Sequence, residues 1–305
     1  MALKKCVAIV NPQGGSRQGL SVLNELGELL SKAGVSLDSQ PTQYPGHAIE
    51  LCRDLSLDDY DCLCVIGGDG TVHDVVGGLM LRQQRPKLPI CLVPAGTGNT
   101  LHQDLNCSTV ASSGKAILTA QSRWLDVVEV KSTDRTTYCV NIVGWGAIAT
   151  INQKAEKLRM LGGRRYAVAA LLEIAWPRPR YAKITLDNEV IEGDFQFVIA
   201  CVTKTTGKQM LMAPNAQIDD GRVDVVILRK ATRSQMIKFF QRVFDGSHLQ
   251  LPFVESRQVC KLRIEAAASP LNLDGEVEGV SPFDAEVIPQ ALRVLWNPAD
   301  SVSID

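Results

Sequence analysis

The sequence predicts an α/β protein, with a parallel, helix-covered sheet first and a mainly antiparallel, sandwich-like part after it. Three observations carry this. Short Val/Ile/Leu-rich runs alternate with helical periodicity up to about Gln121. Beyond Trp124, strand-like stretches follow one another with few helices between them. The chain has 305 residues, more than one hydrophobic core usually organises, so two domains are expected, at 1–123 and 124–289. Residues 290–305, which include "ALRVLWNP", are left open as a return that completes the first domain.

In the first part the expected strands are Cys6–Val10, Val35–Leu37, Cys62–Ile66 and Ile90–Val93. Leu20, Leu23, Leu26 and Leu30 recur at helical spacing between the first two. In the second part "WLDVVEVK", "TTYCVNIV", "YAKITLD", "FQFVIACV", "GRVDVVILR", "CKLRIEA" and "FDAEVI" read as strands. Alternation within several of them points to antiparallel sheets packed face to face. Helical stretches interrupt at roughly 150–175 and 233–244.

Net charge is -1, from 32 basic and 33 acidic side chains, which gives no support to a nucleic-acid partner. The nine cysteines are odd in number and irregularly spaced, and no C-x-x-C pair or zinc-type His spacing occurs. They read as core residues of a protein from a reducing compartment, the cytoplasm. The N-terminal "MALKKCVAIVNP" is too short in apolar length for a secretory segment and reads as a strand. No apolar run approaches the roughly 18 residues of a spanning helix. A soluble protein that touches membranes only from outside is expected.

Three loops stand at the ends of first-part strands: "NPQGG" (Asn11–Gly15), "GGDGT" (Gly67–Thr71) and "PAGTGN" (Pro94–Asn99). Glycine serves where a ligand must approach the backbone, and a glycine turn feeding a helix offers unpaired N–H groups to phosphate. Any one such loop reads equally well as a tight turn. Three at the same end of successive strands read as a phosphate site, where open α/β sheets bind ligands. They are neither Walker A loops nor the G-x-G-x-x-G of dinucleotide folds. Asp69 stands out among them, because a carboxylate beside phosphate calls for Mg²⁺ or a proton-transfer role.

Late in the chain, "LNLDGEVEG" sets Asp274, Gly275 and Glu276 in a strand-to-turn break. As a hairpin turn "DG" is ordinary. Paired with Asp69, it would place an acid from each domain at a phosphoryl transfer in the cleft between them. Arg159, Arg164 and Arg165, in "EKLRMLGGRRYA", read either as a solvated basic face or as phosphate contacts.

N-P-x-G-G, G-G-D-G-T-V-x-(D/E), P-x-G-T-x-N and a late D-G-E, in this order, resemble the diacylglycerol kinase catalytic domain superfamily, and the likeness covers nearly the whole chain. "GWGAIATINQKAEKLRMLGGRRY" is similar to its sphingosine and ceramide kinase members. The resemblance implies a Rossmann-like nucleotide-binding domain, a β-sandwich lipid-binding domain and ATP with Mg²⁺ as cofactors. It implies phosphate contacts from Asn11, Pro12, Gln13, Gly14 and Gly15, and from Gly67, Gly68, Asp69, Gly70 and Thr71. Thr42, Thr97, Asp74, Arg159 and Arg165 fall on further nucleotide-contacting positions. The proton acceptor is left between Asp69 and Glu276, with Asp274 beside the latter. "NAQIDDGRVDVV" resembles a structural Mg²⁺ loop, with Asp220 and the carbonyls of Gln217 and Arg222 as ligands.

One position departs from the sphingosine kinase pattern: Asn152 stands where those enzymes carry an aspartate that holds the amino-alcohol head. Neutral Asn cannot form that ion pair, so an uncharged acceptor, diacylglycerol or ceramide, gains ground. The implied function is an ATP-dependent lipid kinase with peripheral membrane contact. The alternatives are an NAD kinase, which shares G-G-D-G-T, and a catalytically silent lipid- or nucleotide-binding module. "LLEIAWPRPRY" (171–181) reads either as a membrane-resting segment or as a core helix ending at Pro177.

Overall fold

The computed structural model describes residues 3–14, 17–158, 165–207 and 209–298. It forms two compact units, one of residues 1–126 with 290–305, the other of residues 127–289.

The first unit holds β1 (Lys5–Val10), α1 (Gly19–Lys32), β2 (Ser36–Pro41), α2 (His47–Asp54), β3 (Cys62–Gly67), α3 (Asp69–Met80), β4 (Ile90–Pro94), α4 (Thr100–Asp104) and α5 (Val110–Thr119). The strands run parallel in the order β2-β1-β3-β4, with Cys6 opposite Cys62 and Ile66 opposite Val93. Every residue of β3, and all of β1 after Lys5, is buried. That requires cover on both faces of the sheet, which is why these strands read as continuous apolar runs. The side chains of α1 that turn inward are Val22, Leu26 and Leu30. Leu20 is half exposed, a correction to the expected stripe: the buried face follows the 4-residue ridge from Val22, and Leu20 lies off it.

Two strands carry the chain between the units, β5 (Ser122–Ser132) and β15 (Phe283–Leu295). Within the first unit the end of β15 lies parallel to β4, with Val294 opposite Ile90. The fully buried Asp126 accepts the backbone N–H of Gln290 at 2.6 Å, fastening the two crossings together.

The second unit contains β6 (Thr136–Cys139), β7 (Ile142–Gly146), α6 (Ala147–Lys157), α7 (Arg165–Ala175), β8 (Arg180–Leu186), β9 (Glu189–Cys201), β10 (Val223–Arg229), α8 (Arg233–Arg242), β11 (Val254–Val259), β12 (Lys261–Ala266), β13 (Pro270–Leu273) and β14 (Glu276–Val280). Its pairings are antiparallel, in the order β14-β13-β7-β9-β8-β12-β15, with β10 joining β9 to β11. The first half of β9 pairs with β8 and the second with β7, and its register against β10 shifts beside Arg229. Such a bulge lets one strand turn from one layer to the next. Phe197, Ile199 and Cys201 of β9, Val226 and Leu228 of β10, and Met236, Phe239 and Val243 form one apolar cluster.

The stretch expected to be helical at 150–175 contains α6 and α7. In α7 the polarity is reversed. Glu173 is fully buried and pairs with Lys154 at 2.7 Å, whereas Leu171, Leu172 and Trp176 are exposed. The helix stops before Pro177, as that residue demands. All nine cysteines are free and only Cys260 is exposed.

Burial also gives the first unit a pH response. His102 on α4 has no exposure, and desolvation pushes its imidazole pKa down to about 4. Because the folded value lies below the unfolded one, the unfolded chain binds the extra proton. Stability is therefore full above about pH 6.5 and is expected to fall by about 3 kcal/mol toward pH 4. Denaturant melts across that window should show the slope, and His102→Leu should flatten it.

Candidate functional site

In the first unit the glycine loops pack on one another. A side chain on Gly96 would collide with Gly68, and one on Gly98 with the carboxylate of Asp69. Ala95 donates to the Gly67 carbonyl, and Asn99, itself left-handed at φ 52°, closes the loop onto Gly96 through both amide atoms. The glycines at 68, 96 and 98 thus have a reason in loop-on-loop contact, apart from any ligand.

Asp69 opens α3. Its carboxylate accepts the backbone N–H of Thr100 at 2.7 Å and the Thr100 hydroxyl at 3.3 Å, tying the loop after β3 to the start of α4. Thr100 was not singled out from the sequence, although it directly follows "PAGTGN". The loop after β1 is fastened similarly: Asn11 donates to Thr71 Oγ1 at 3.2 Å and accepts from the Gln13 backbone at 3.1 Å. Its own N–H reaches the Ile66 carbonyl at 3.1 Å. These contacts bring Asn11, Gln13, Gly67, Gly68, Asp69 and Thr71 onto one edge, the carboxyl ends of β1 and β3.

Two helix starts on this edge, α1 and α3, carry no side-chain cap among the described residues. By contrast, α5 and α8 begin with complete capping boxes at Thr109 and Thr232. An uncapped first turn keeps N–H groups and the positive end of the helix dipole for another partner. Thr42 donates to the Val10 carbonyl at the end of β2. Asp74 lies half-buried on α3, Pro12, Gly14 and Gly70 are partly exposed, and Thr97 is exposed. Gly15 and Arg159 fall outside the described residues, as do Arg164 and the side chain of Arg165.

In the second unit the "DG" of "LNLDGEVEG" is a two-residue hairpin turn, with Leu273 opposite Glu276. Asp274 and Gly275 both have positive φ, at 54° and 104°, the conformation this turn type takes. The Asp274 carboxylate is buried and accepts three backbone N–H groups: Asn141 at 2.7 Å, Ile142 at 2.9 Å and Val140 at 3.0 Å. Asn272 takes the Gly275 N–H at 2.9 Å. Glu276 leaves the turn exposed. Asp274 is thus an anchor for the turn. The Val140–Ile142 cradle left no mark in the sequence.

Asn152, on α6, donates its amide to the Gly275 carbonyl at 2.5 Å. A carboxylate cannot donate there and would face a carbonyl oxygen instead. Asn152→Asp is therefore expected to cost about 1–3 kcal/mol of stability. Melting of the variant against wild type checks this. In the 217–222 loop, Asp220 Oδ1 accepts the Arg222 N–H at 3.0 Å, and Gln217, Asp220 and Arg222 are exposed. The oxygen donors there are of the kind Mg²⁺ takes.

Comparison with known proteins fits this arrangement. Residues 5–130 match the diacylglycerol kinase catalytic domain, and residues 141–296 match the YegS C-terminal NAD kinase beta sandwich-like domain. The chain belongs to the diacylglycerol kinase catalytic domain family. It is a lipid kinase by that membership. Sphingosine kinase 1 of Arabidopsis thaliana is 26% identical, over 93% of this chain and 68% of that protein. Diacylglycerol kinase of Bacillus subtilis (strain 168) is 25% identical, over 99% of this chain and 100% of that one. A solved structure described as a diacylglycerol kinase, from Bacillus anthracis str. Sterne, has a TM-score of 0.76 at 20% identity and covers 98% of this chain and 99% of its own. The expected α/β class, with a catalytic domain of this family and a β-sandwich-like domain, is borne out.

Proposed function

We propose that the kinase transfers the γ-phosphoryl group of ATP to a primary hydroxyl of an uncharged membrane lipid, diacylglycerol or ceramide. The observation that carries this is the edge built from Asn11, Gly68, Asp69 and Thr71, where α1 and α3 begin without caps. In the proposal the loops Asn11–Gly15 and Gly67–Thr71 hold nucleotide phosphates. Thr42, Asp74 and Thr97 contact the nucleotide, and Arg159 and Arg165 clamp phosphate oxygens. Asp69 assists deprotonation of the acceptor hydroxyl, with Glu276 the other base candidate and Asp274 holding its turn.

The Asp69 carboxylate, held at the phosphate edge by Thr100, is a hard oxygen donor of the kind Mg²⁺ takes. When bound, Mg²⁺ would supply charge neutralisation at the phosphates. The loop around Asp220 is proposed as a second, structural Mg²⁺ position.

Neutral Asn152, engaged with Gly275, supports an uncharged acceptor over a sphingoid base. The outward leucines of α7 with Trp176 support peripheral membrane contact, and the free cysteines suit a cytoplasmic setting. Among the described residues no helix is long and apolar enough to cross a membrane.

The likeness of residues 141–296 to an NAD kinase sandwich keeps NAD as a rival acceptor. Labelled ATP offered with diacylglycerol, ceramide, sphingosine and NAD side by side tests the proposal. Transfer to the uncharged lipids is expected. Phosphorylation of NAD alone would establish the rival, and ATP binding without any transfer would mark a silent module.

A further inference from the structure

Helix α8 is apolar on two sides. Met236, Phe239 and Val243 fill the cluster beneath it, where Phe239 meets Phe197 edge-on at 5.2 Å. That stripe is sufficient to seat the helix. One residue further on, Ile237 lies about 100° away on the outer side, Phe240 leans back against the cluster, and Phe244 sits in the turn just past the helix. Ile237 is 47% exposed and Phe244 59%, with Phe240 partly buried between them. Ile237 and Phe244 thus keep apolar surface in water that the fold does not use.

The charges along this segment are mostly positive. Lys230, Arg233, Lys238 and Arg242 are exposed, and Asp245 is the only acid from Lys230 to Leu251, in a chain whose net charge is -1. Arg233 lies one turn before Ile237 on the outer stripe, where a long cationic side chain can reach past an apolar contact. The neighbouring α7, which packs against α8, carries the exposed Leu171 and Leu172, with the exposed Trp176 just past its end.

An isologous contact between two copies through α8 would bring the same four cations together, which repels. An anionic surface with an apolar interior matches both the stripe and the charge. We propose that α8 is a docking helix for anionic bilayers: Ile237 and Phe244 enter the headgroup–acyl boundary, and Arg233, Lys238 and Arg242 meet lipid phosphates. This rests on the lipid-kinase reading for its purpose, since the acceptor must come from a membrane.

The test is co-sedimentation of the full chain, without ATP, with phosphatidylcholine vesicles and with vesicles that also contain phosphatidylglycerol. Wild type is expected to prefer the anionic vesicles. Ile237→Ser with Phe244→Ser should weaken that binding by about tenfold or more. Arg233→Gln with Lys238→Gln and Arg242→Gln should erase the preference for phosphatidylglycerol. Both variants should melt like wild type and phosphorylate a water-soluble short-chain diacylglycerol at its rate. Equal vesicle binding by wild type and variants would overturn the proposal. So would a change in oligomeric state on Ile237→Ser with Phe244→Ser while vesicle binding stays the same. If wild type binds anionic vesicles as described but phosphorylates no soluble lipid, docking stands and the kinase reading falls.

Discussion

Replacing Asp69 by Asn is expected to lower kcat by about 10² or more, the range for loss of an acid–base group, with little change in melting temperature. The structure explains why the two readouts should separate. Asn keeps the oxygen that accepts the Thr100 N–H at 2.7 Å, and its new NH₂ can donate to the Thr100 hydroxyl. The link from β3 to α4 therefore survives, while the negative charge and the proton acceptor are lost. Gly98→Ala offers a companion test, because its methyl group would displace the Asp69 carboxylate without removing it. It should lower kcat in the same direction. Turnover of ATP and lipid at the wild-type rate by Asp69→Asn would end the assignment of this residue to the chemistry.

Asp274→Ala acts first on the fold. It strips the acceptor from Val140, Asn141 and Ile142, three backbone donors gathered on one buried carboxylate. A buried donor left without a partner costs about 1–3 kcal/mol, so a loss of about 3 kcal/mol or more is expected. Asp274→Asn, with one acceptor oxygen, should fall between. Denaturant unfolding of the three proteins measures this. A loss under about 1 kcal/mol would show that the cradle relaxes or admits water. Activity should fall with stability, since the same turn presents Glu276. Glu276→Gln, at an exposed position, should leave stability unchanged and so isolates any role of that carboxylate in transfer.

Local signals carried much of the architecture. The buried strands β1, β3 and β4 are apolar at nearly every position because helices cover both faces of their sheet. The turn at Asp274 and Gly275 is legible because few residues other than Gly, Asn and Asp tolerate positive φ. The loops after β1, β3 and β4 were found from their glycines, and residue roles within them came from family likeness. What those glycines accommodate was not legible: Gly68 and Gly96 approach each other from loops almost 30 residues apart.

The sequence by itself determined the first-unit strands, several second-unit strands and the chemistry available at their ends, because periodicity and turn preference act over a few residues; it read "TTYCVNIV" as one strand where the structure has β6 and β7. Tertiary structure alone decided the partners of its buried carboxylates. Asp274 reaches Val140 across 134 residues, and Asp126 reaches Gln290 across 164. It also decided that α7 buries its glutamate and turns two leucines outward. These outcomes depend on which backbone donors and which surfaces meet after folding, and no local pattern encodes that meeting.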